Sequence, residues 1–265
     1  MLFLRRFVVT LTLVTMVGLT ACSSVPATQD SYDSYASTDN DPIESVNRVV
    51  FDVNDFLDRL LIRPLAELYR VMIPPPIRTR VAAVLHNMGE PVILANNLLQ
   101  GEVSKAGTTF GRFMVNTTLG FGGMFEVAND YGLQRQTGDF GQTLHVWGMG
   151  SGPYLVLPLF GPSNVRDAIG LGVDSLLSPW KYVVAYGDTK AEDTFMLADM
   201  SASALTRREA NIEGLDSLRE GSLDFYAQMR SVYRQYRAKQ LGVTLASEAP
   251  VFEDYDAENS TPITR

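Results

Sequence analysis

The sequence predicts an all-α protein, a bundle of amphipathic helices with at most a short hairpin in a Gly-rich middle. Three observations lead there. Apolar residues recur at intervals of three and four over long stretches. Only two four-residue runs read as strands, Leu144-His145-Val146-Trp147 and Tyr154-Leu155-Val156-Leu157. Glycines crowd the region between residues 120 and 152, which separates the helical halves.

The first segment is a leader. Arg5 and Arg6 give a positive start, and Phe7 to Gly18 form an apolar run too short for a spanning helix. Leu19-Thr20-Ala21-Cys22 closes it, and Cys22 is the sole cysteine of the chain. This pattern resembles the bacterial lipoprotein box, in which the Cys sulfur takes a diacylglyceryl group, the leader (1–21) is removed and the new amino terminus is acylated. The bland alternative is a plain cleaved signal with an incidental Cys. Ser23, rather than Asp, follows the Cys and resembles an outer-membrane sorting signal. Each buried methylene adds about 0.8 kcal/mol to membrane affinity, so several acyl chains amount to a near-permanent anchor. Residues 22–40 are Ser-, Thr-, Asp- and Tyr-rich and read as a lipidated flexible tether, about 24 Å across as a coil.

The folded body is expected over 41–242. Asp41-Pro42-Ile43-Glu44 reads as a helix start, with Asp41 as cap. The helix that follows carries Val46, Val49, Val50, Val53, Leu57, Leu60 and Leu61 as one stripe, with Pro64 dividing it and Pro74-Pro75-Pro76 ending the segment. Further helices are predicted over 78–87, 91–100 and 104–118. Ser163 is expected to cap one that runs to Leu177, followed by helices over 190–208 and 222–240, the last capped by Ser222. Residues 243–265 turn polar and acidic and read as a disordered tail.

Composition narrows the function. Hydrophobic residues make up 46% of the chain, enough for a core. The 22 basic and 30 acidic residues give a net charge of −8; loss of Arg5 and Arg6 with the leader brings the remaining chain to −10. A chain this acidic is a poor candidate for nucleic-acid binding, which rests on neutralising phosphates with Lys and Arg. No stretch beyond the leader holds eighteen consecutive apolar residues, so membrane contact by the body must come from amphipathic helices.

No catalytic constellation emerges. His86 and His145 stand outside any H-E-x-x-H pattern, and no metal site is expected. Gly148-Met149-Gly150-Ser151-Gly152 has the wrong spacing for a nucleophile elbow. Ser178-Pro179-Trp180-Lys181 matches S-x-x-K but lacks its companion motifs, so a lipid hydrolase built on Ser178 and Lys181 is a minor alternative. Gly120, Gly122, Gly123, Gly148, Gly150 and Gly152 have two readings: ordinary turn chemistry, or a gating loop beside a lipid path. Arg230, Arg234 and Arg237 share one face of the last helix, beside an aromatic stripe of Tyr226, Met229, Tyr233 and Tyr236. They read either as a solvated basic face or as a contact for lipid headgroups or an acidic partner.

The ordered motifs resemble the MlaA/VacJ family. They are Asn40-Asp41-Pro42-Ile43-Glu44 with Asn47-Arg48, Glu90-Pro91 with Asn96, and Leu99-Gln100-Gly101. Arg112-Phe113, Asn116-Thr117 and Leu119-Gly120 with Gly122-Gly123 follow, then Gly148 to Pro158, Gly161-Pro162-Ser163, Arg166-Asp167, and finally Asp224, Tyr226, Arg230 and Tyr233. His145 stands where the resemblance leads one to expect Gly. The resemblance implies a ring-like helical protein in the inner leaflet of the outer membrane, without catalytic activity or cofactor. Such a ring encloses an amphipathic channel through which phospholipids misplaced in the outer leaflet reach a soluble periplasmic carrier, maintaining lipid asymmetry. A trimeric porin is the implied partner. A structural porin adaptor is the alternative role.

Overall fold

The computed structural model describes residues 40–184 and 189–243, and Cys22, the leader, most of the tether and the acidic tail lie outside them. The fold is all-α with one small hairpin. Helix α1 (Glu44–Leu57) passes through a π-helical turn (Asp58–Ile62) into α2 (Arg63–Met72). Pro64 thus sits directly after the π-helical turn, in the first turn of α2. Helix α3 (Pro75–Leu99) packs along α4 (Val103–Thr118). The short α5 (Phe140–Val146), strands β1 (Tyr154–Leu157) and β2 (Gly161–Asn164), and α6 (Val165–Leu177) come next. Helices α7 (Trp180–Val184), α8 (Thr189–Ala210), α9 (Ile212–Gly221) and α10 (Phe225–Leu241) complete it.

Several expectations are corrected. The helices expected over 78–87 and 91–100 are one helix, continuous through Pro91. Proline removes a backbone donor, but this helix is pinned on both sides of it. Asn87 donates to Thr117 at 3.0 Å, Arg112 donates to Glu90, Asn96 donates to Asp174, and the Trp180 indole donates to the Met88 carbonyl at 2.6 Å. The run Leu144–Trp147 is not a strand. The Asp139 carboxylate accepts from the Gln142 N–H at 2.8 Å and starts α5 instead. The partner of β1 is therefore β2, antiparallel, with Tyr154 opposite Asn164 and Leu157 opposite Gly161. Asn164 rather than Ser163 caps α6, and Asp224 rather than Ser222 caps α10, each accepting from the N–H three residues on. Asp41 does not cap α1 with its side chain: its carboxylate is buried and used elsewhere. Helix α9 had no sequence expectation.

Helix α1 organises the hairpin by a spacing coincidence. Asn47 donates to the Tyr154 carbonyl at 3.0 Å and accepts from the Val156 N–H at 2.9 Å. Asn54 does the same with the Leu157 carbonyl and the Leu159 N–H, both at 2.9 Å. Seven residues along a helix rise about 10.5 Å, and three along a strand about 10 Å, so two carboxamides two turns apart meet the strand in register. They stand in for a third strand. Behind them Phe51, Tyr154, Val156 and Tyr226 form an apolar cluster with Val50, Phe225, Met229 and Tyr233 against it. The aromatic stripe of α10 supplies Tyr226 and Tyr233 to this cluster, while Tyr236 remains exposed.

Candidate functional site

The interior is polar. The largest fully buried side chains are Arg112, Arg166, Glu90, Asn47, Asn96, Asn97, Asn116, Thr109 and Thr143. Arg112, Glu90, Arg166 and Asn47 belong to three crossbraces.

In the first, Arg112 of α4 and Glu90 of α3 are both 0% exposed, with Nε donating to Oε1 at 3.1 Å. Arg112 also donates to Asn129, the Leu133 carbonyl and Glu126. His86 Nε2 lies 3.3 Å from the same Glu90 carboxylate.

In the second, Arg237 of α10 holds Asp139 bidentately at 2.6 and 2.7 Å and donates to Asp167 at 2.8 Å. Arg166 and the Tyr233 hydroxyl also donate to Asp167, at 2.9 and 2.7 Å. Burial pushes the Asp167 carboxyl up, but the surrounding guanidinium groups and hydroxyl hold it below its ordinary value. His145, on α5, faces Arg166 at 3.4 Å; burial and the Arg166 and Arg237 charges lower its pKa.

In the third, the buried Asp41 carboxylate accepts from Asn47 at 2.7 Å, Arg230 at 2.9 Å and the Tyr226 hydroxyl. Asn40 donates to the Gly152 carbonyl at 2.8 Å.

Asp174 of α6 lies between the second brace and α3. It accepts from Asn96 at 2.7 Å and from the Phe140 N–H at 3.0 and 3.2 Å. Burial pushes its carboxyl up to about 6, although both donors favour the ionised form. A raised carboxyl binds a proton in the folded state that the unfolded chain has released. The contribution of Asp174 to stability is therefore fully present below the ordinary carboxyl range and is lost as pH rises through about 6. Asp174→Asn should flatten the pH dependence of the melting temperature between about pH 4 and 6.5, as followed by circular dichroism.

One long outer face is apolar. On α1 and α2, Val46, Val49, Val53, Phe56, Leu60, Leu61, Leu65 and Leu68 are all exposed, at intervals that put them on one continuous helical face. Of the stripe read from the sequence, Val46, Val49, Val53, Leu60 and Leu61 therefore point outward, whereas Val50 packs on the inner apolar cluster and Leu57 is half-buried. Its opposite face is braced by ions: Asp55 with Arg219, Asp58 with Arg208 at 2.7 and 3.0 Å, and Arg63 with Asp216. Burying one such side chain is favourable by about 1.5–3 kcal/mol, so this face alone leaves on the order of 10 kcal/mol unrealised in water. Phe110, Met114, Leu119, Ile169 and Leu176 extend the pattern to other helices. Among the described residues no helix is long and apolar enough to cross a membrane.

The candidate gate glycines divide into two groups. At Gly120 an added Cβ would lie 2.2 Å from the Phe125 carbonyl oxygen, and at Gly123 (φ +92°) 2.4 Å from Asn87. At Gly152 the nearest neighbour is Val165 at 3.1 Å. Gly122, Gly148 and Gly150 face open space, Gly148 with φ +89°. Gly150 is thus free to carry a side chain. Gly150→Val should keep the melting temperature within about 2 °C, whereas Gly120→Val should unfold the α4 end. Loss of lipid transfer in the folded Gly150→Val protein would bear directly on the gate.

The three arginines of α10 do not share one open face. Arg237 is buried between two carboxylates and Arg230 is engaged by Asp41. Arg234 lies half-buried, and its pKa is lowered by burial and by Arg230. Lys181 rests 5.2 Å from the Tyr182 ring, and the Ser178 N–H ends α6 on the Asp174 carbonyl. Among the described residues no group of three or more His, Cys, Asp and Glu is arranged to hold a metal.

A family profile described as "MlaA lipoprotein" matches residues 39–240, nearly all of the braced body. The chain belongs to the MlaA lipoprotein family. The relatives include the intermembrane phospholipid transport system lipoprotein MlaA of Haemophilus influenzae, 30% identical over 84% of this chain and 86% of the relative. The Escherichia coli K12 protein of the same name is 38% identical over 48% of this chain and 53% of its own length. A Rickettsia prowazekii protein without an assigned role is 36% identical over 77% of this chain and 78% of its own. One solved structure, from work on the structural basis for maintenance of bacterial outer membrane lipid asymmetry, aligns with a TM-score of 0.66 and 30% identity. It covers 76% of this chain and 98% of that one. Many polar residues of the MlaA motifs quoted from the sequence are structural: Asn47, Glu90, Asn96, Arg112, Asn116, Arg166, Asp167, Tyr226 and Tyr233 all lie in buried or half-buried polar contacts. Asn54 and Asp139 belong to the same system and were missed. The signals were an Asn two turns after Asn47, and an Asp placed to cap Phe140-Gly141-Gln142.

Proposed function

We propose that this chain is a lipid-anchored, non-enzymatic conduit of the outer membrane. It withdraws phospholipids from the outer leaflet and passes them to a soluble periplasmic carrier, maintaining lipid asymmetry. The single observation that supports this most is the distribution of polarity: the largest fully buried side chains are charged, carboxamide or hydroxyl-bearing, and a continuous apolar face looks outward. An apolar exterior suits contact with acyl chains, and a braced polar interior keeps its shape in a medium that offers no water to unpaired groups. A phospholipid needs both surfaces along its route, with no bond made or broken. The names of the Haemophilus and Escherichia relatives point to the same pathway. A trimeric porin as assembly partner and a position in the inner leaflet complete the proposal.

Acylation at Cys22 is part of it. Cys22→Ser should leave the leader uncut and the protein outside the outer membrane, as read by membrane fractionation and mass of the product. Normal placement of that variant would remove the anchor. Cells lacking the protein should accumulate phospholipid on their surface while porin levels stay unchanged. Unchanged surface lipid in those cells would remove the transport reading.

A further inference from the structure

Two residues other than glycine have positive φ among the described residues, Phe121 at +52° and Leu159 at +66°. That region suits glycine or asparagine and strains a side chain of this size. Both are nevertheless large and apolar, and both point away from the protein, at 77% and 66% exposure. Phe121 meets Phe125 edge-on, with ring centres 6.5 Å apart, but most of its surface, like that of Leu159, is left open. Their value lies in what the side chains meet outside.

Each sits at the tip of a tightly built loop. Phe121 follows α4, where the Gly122 and Gly123 N–H groups bond back to Thr117 and Asn116 at 3.0 and 2.8 Å. Leu119, Met124 and Phe125 are exposed around it. The Arg80 guanidinium lies 4.3 Å from the Phe125 ring centre, which pairs an apolar ring with a cation able to reach lipid phosphate. Leu159 and the exposed Phe160 form the tip of the β1–β2 hairpin. Asn54 fixes that tip through both atoms of its carboxamide. Asn54 itself lies between exposed Val53 and Phe56, so the hairpin tip continues the apolar face of α1.

We propose that Phe121 and Leu159–Phe160 are two wedges that enter the acyl region of the bilayer and set the depth and tilt at which the body sits. This rests on the lipid-facing reading of α1 and adds two specific insertion points to it. The strain is kept because glycine or asparagine, which would relieve it, would leave no wedge.

The test uses the acylated full-length protein in vesicles of phosphatidylethanolamine and phosphatidylglycerol. Since acylation consumes Cys22, a cysteine introduced elsewhere is the one free thiol. Phe121→Cys, Leu159→Cys and Phe160→Cys are labelled with an environment-sensitive dye, with Val53→Cys and the exposed Asp130→Cys as references. The wedge labels should shift to the blue and be quenched by lipids brominated about 5–10 Å below the headgroup boundary, as at Val53. Asp130 should remain unquenched. Quenching at Val53 without quenching at the three wedge positions overturns the wedges and leaves the apolar face intact. No quenching at Val53 defeats the lipid-facing reading itself. Unlabelled Phe121→Asn and Leu159→Asn should melt at or above the parent temperature; a marked fall would assign these side chains to packing and overturn the inference.

Discussion

Arg112→Leu should lower stability by about 3–5 kcal/mol, a fall of roughly 10 °C in melting temperature for a body of this size. The cost comes from what is left behind. Glu90 is fully buried in the middle of α3, and its Oε1 accepts from Arg112. Without Arg112 a carboxylate remains in a site with no water to solvate it. The double variant Glu90→Leu with Arg112→Leu should recover at least half of the loss, because removing both charges also removes the desolvation cost. Recovery should stay partial, since Asn129, Glu126 and the Leu133 carbonyl still lose their shared donor. A mild single variant, or a double variant no better than the single, would mean that the pair is not a brace.

The second large effect is steric. A Cβ at Gly170 on α6 would lie 2.4 Å from the Gly141 nitrogen and 2.8 Å from its Cα. Both neighbours are backbone, so no rotamer change can make room. Gly170→Val must push α5 away from α6. That movement would break the Phe140 N–H bonds to Asp174 and the Asp139 contact with Arg237 together. A loss of about 3 kcal/mol or more is expected from thermal melts. Gly172→Ala, on the same helix with nothing within 4 Å, should be neutral or stabilising by up to about 1 kcal/mol. Equal effects at the two positions would show that the close approach of α5 and α6 does not govern stability.

Much of this fold is legible from local chemistry. The stripe on α1, the extent of α4 and the strand at Tyr154 follow from periodicity and β-rich composition. The errors fall where long-range contacts override local preference. Pro91 looks like a stop, yet partners from α4, α6 and α7 hold α3 together across it. Leu144–Trp147 alternates like a strand, yet the capping carboxylate of Asp139 starts a helix five residues earlier. The direction of the stripe was not legible either. Periodicity says that one side of α1 is apolar, not whether that side meets a core or a bilayer. The ion pairs of Asp55 and Asp58 with α9 and α8, and the bonds of Asn47 and Asn54 to the hairpin, reveal which side is inward. The basic face of α10 was misjudged for a related reason. Arg237 is spaced like a surface residue, and its burial depends on carboxylates about 70 and 100 residues away in the chain.

The proposed function is passage of intact phospholipid by way of a protein with buried polar braces and an apolar outer face. Transfer of labelled phospholipid from donor vesicles carrying the acylated protein to a purified periplasmic carrier tests it most directly, with recovered lipid identified by mass. The account predicts transfer that depends on the protein, delivers lipids with both acyl chains in place and survives Ser178→Ala. Protein-dependent release of free fatty acid, lost on Ser178→Ala, would contradict it.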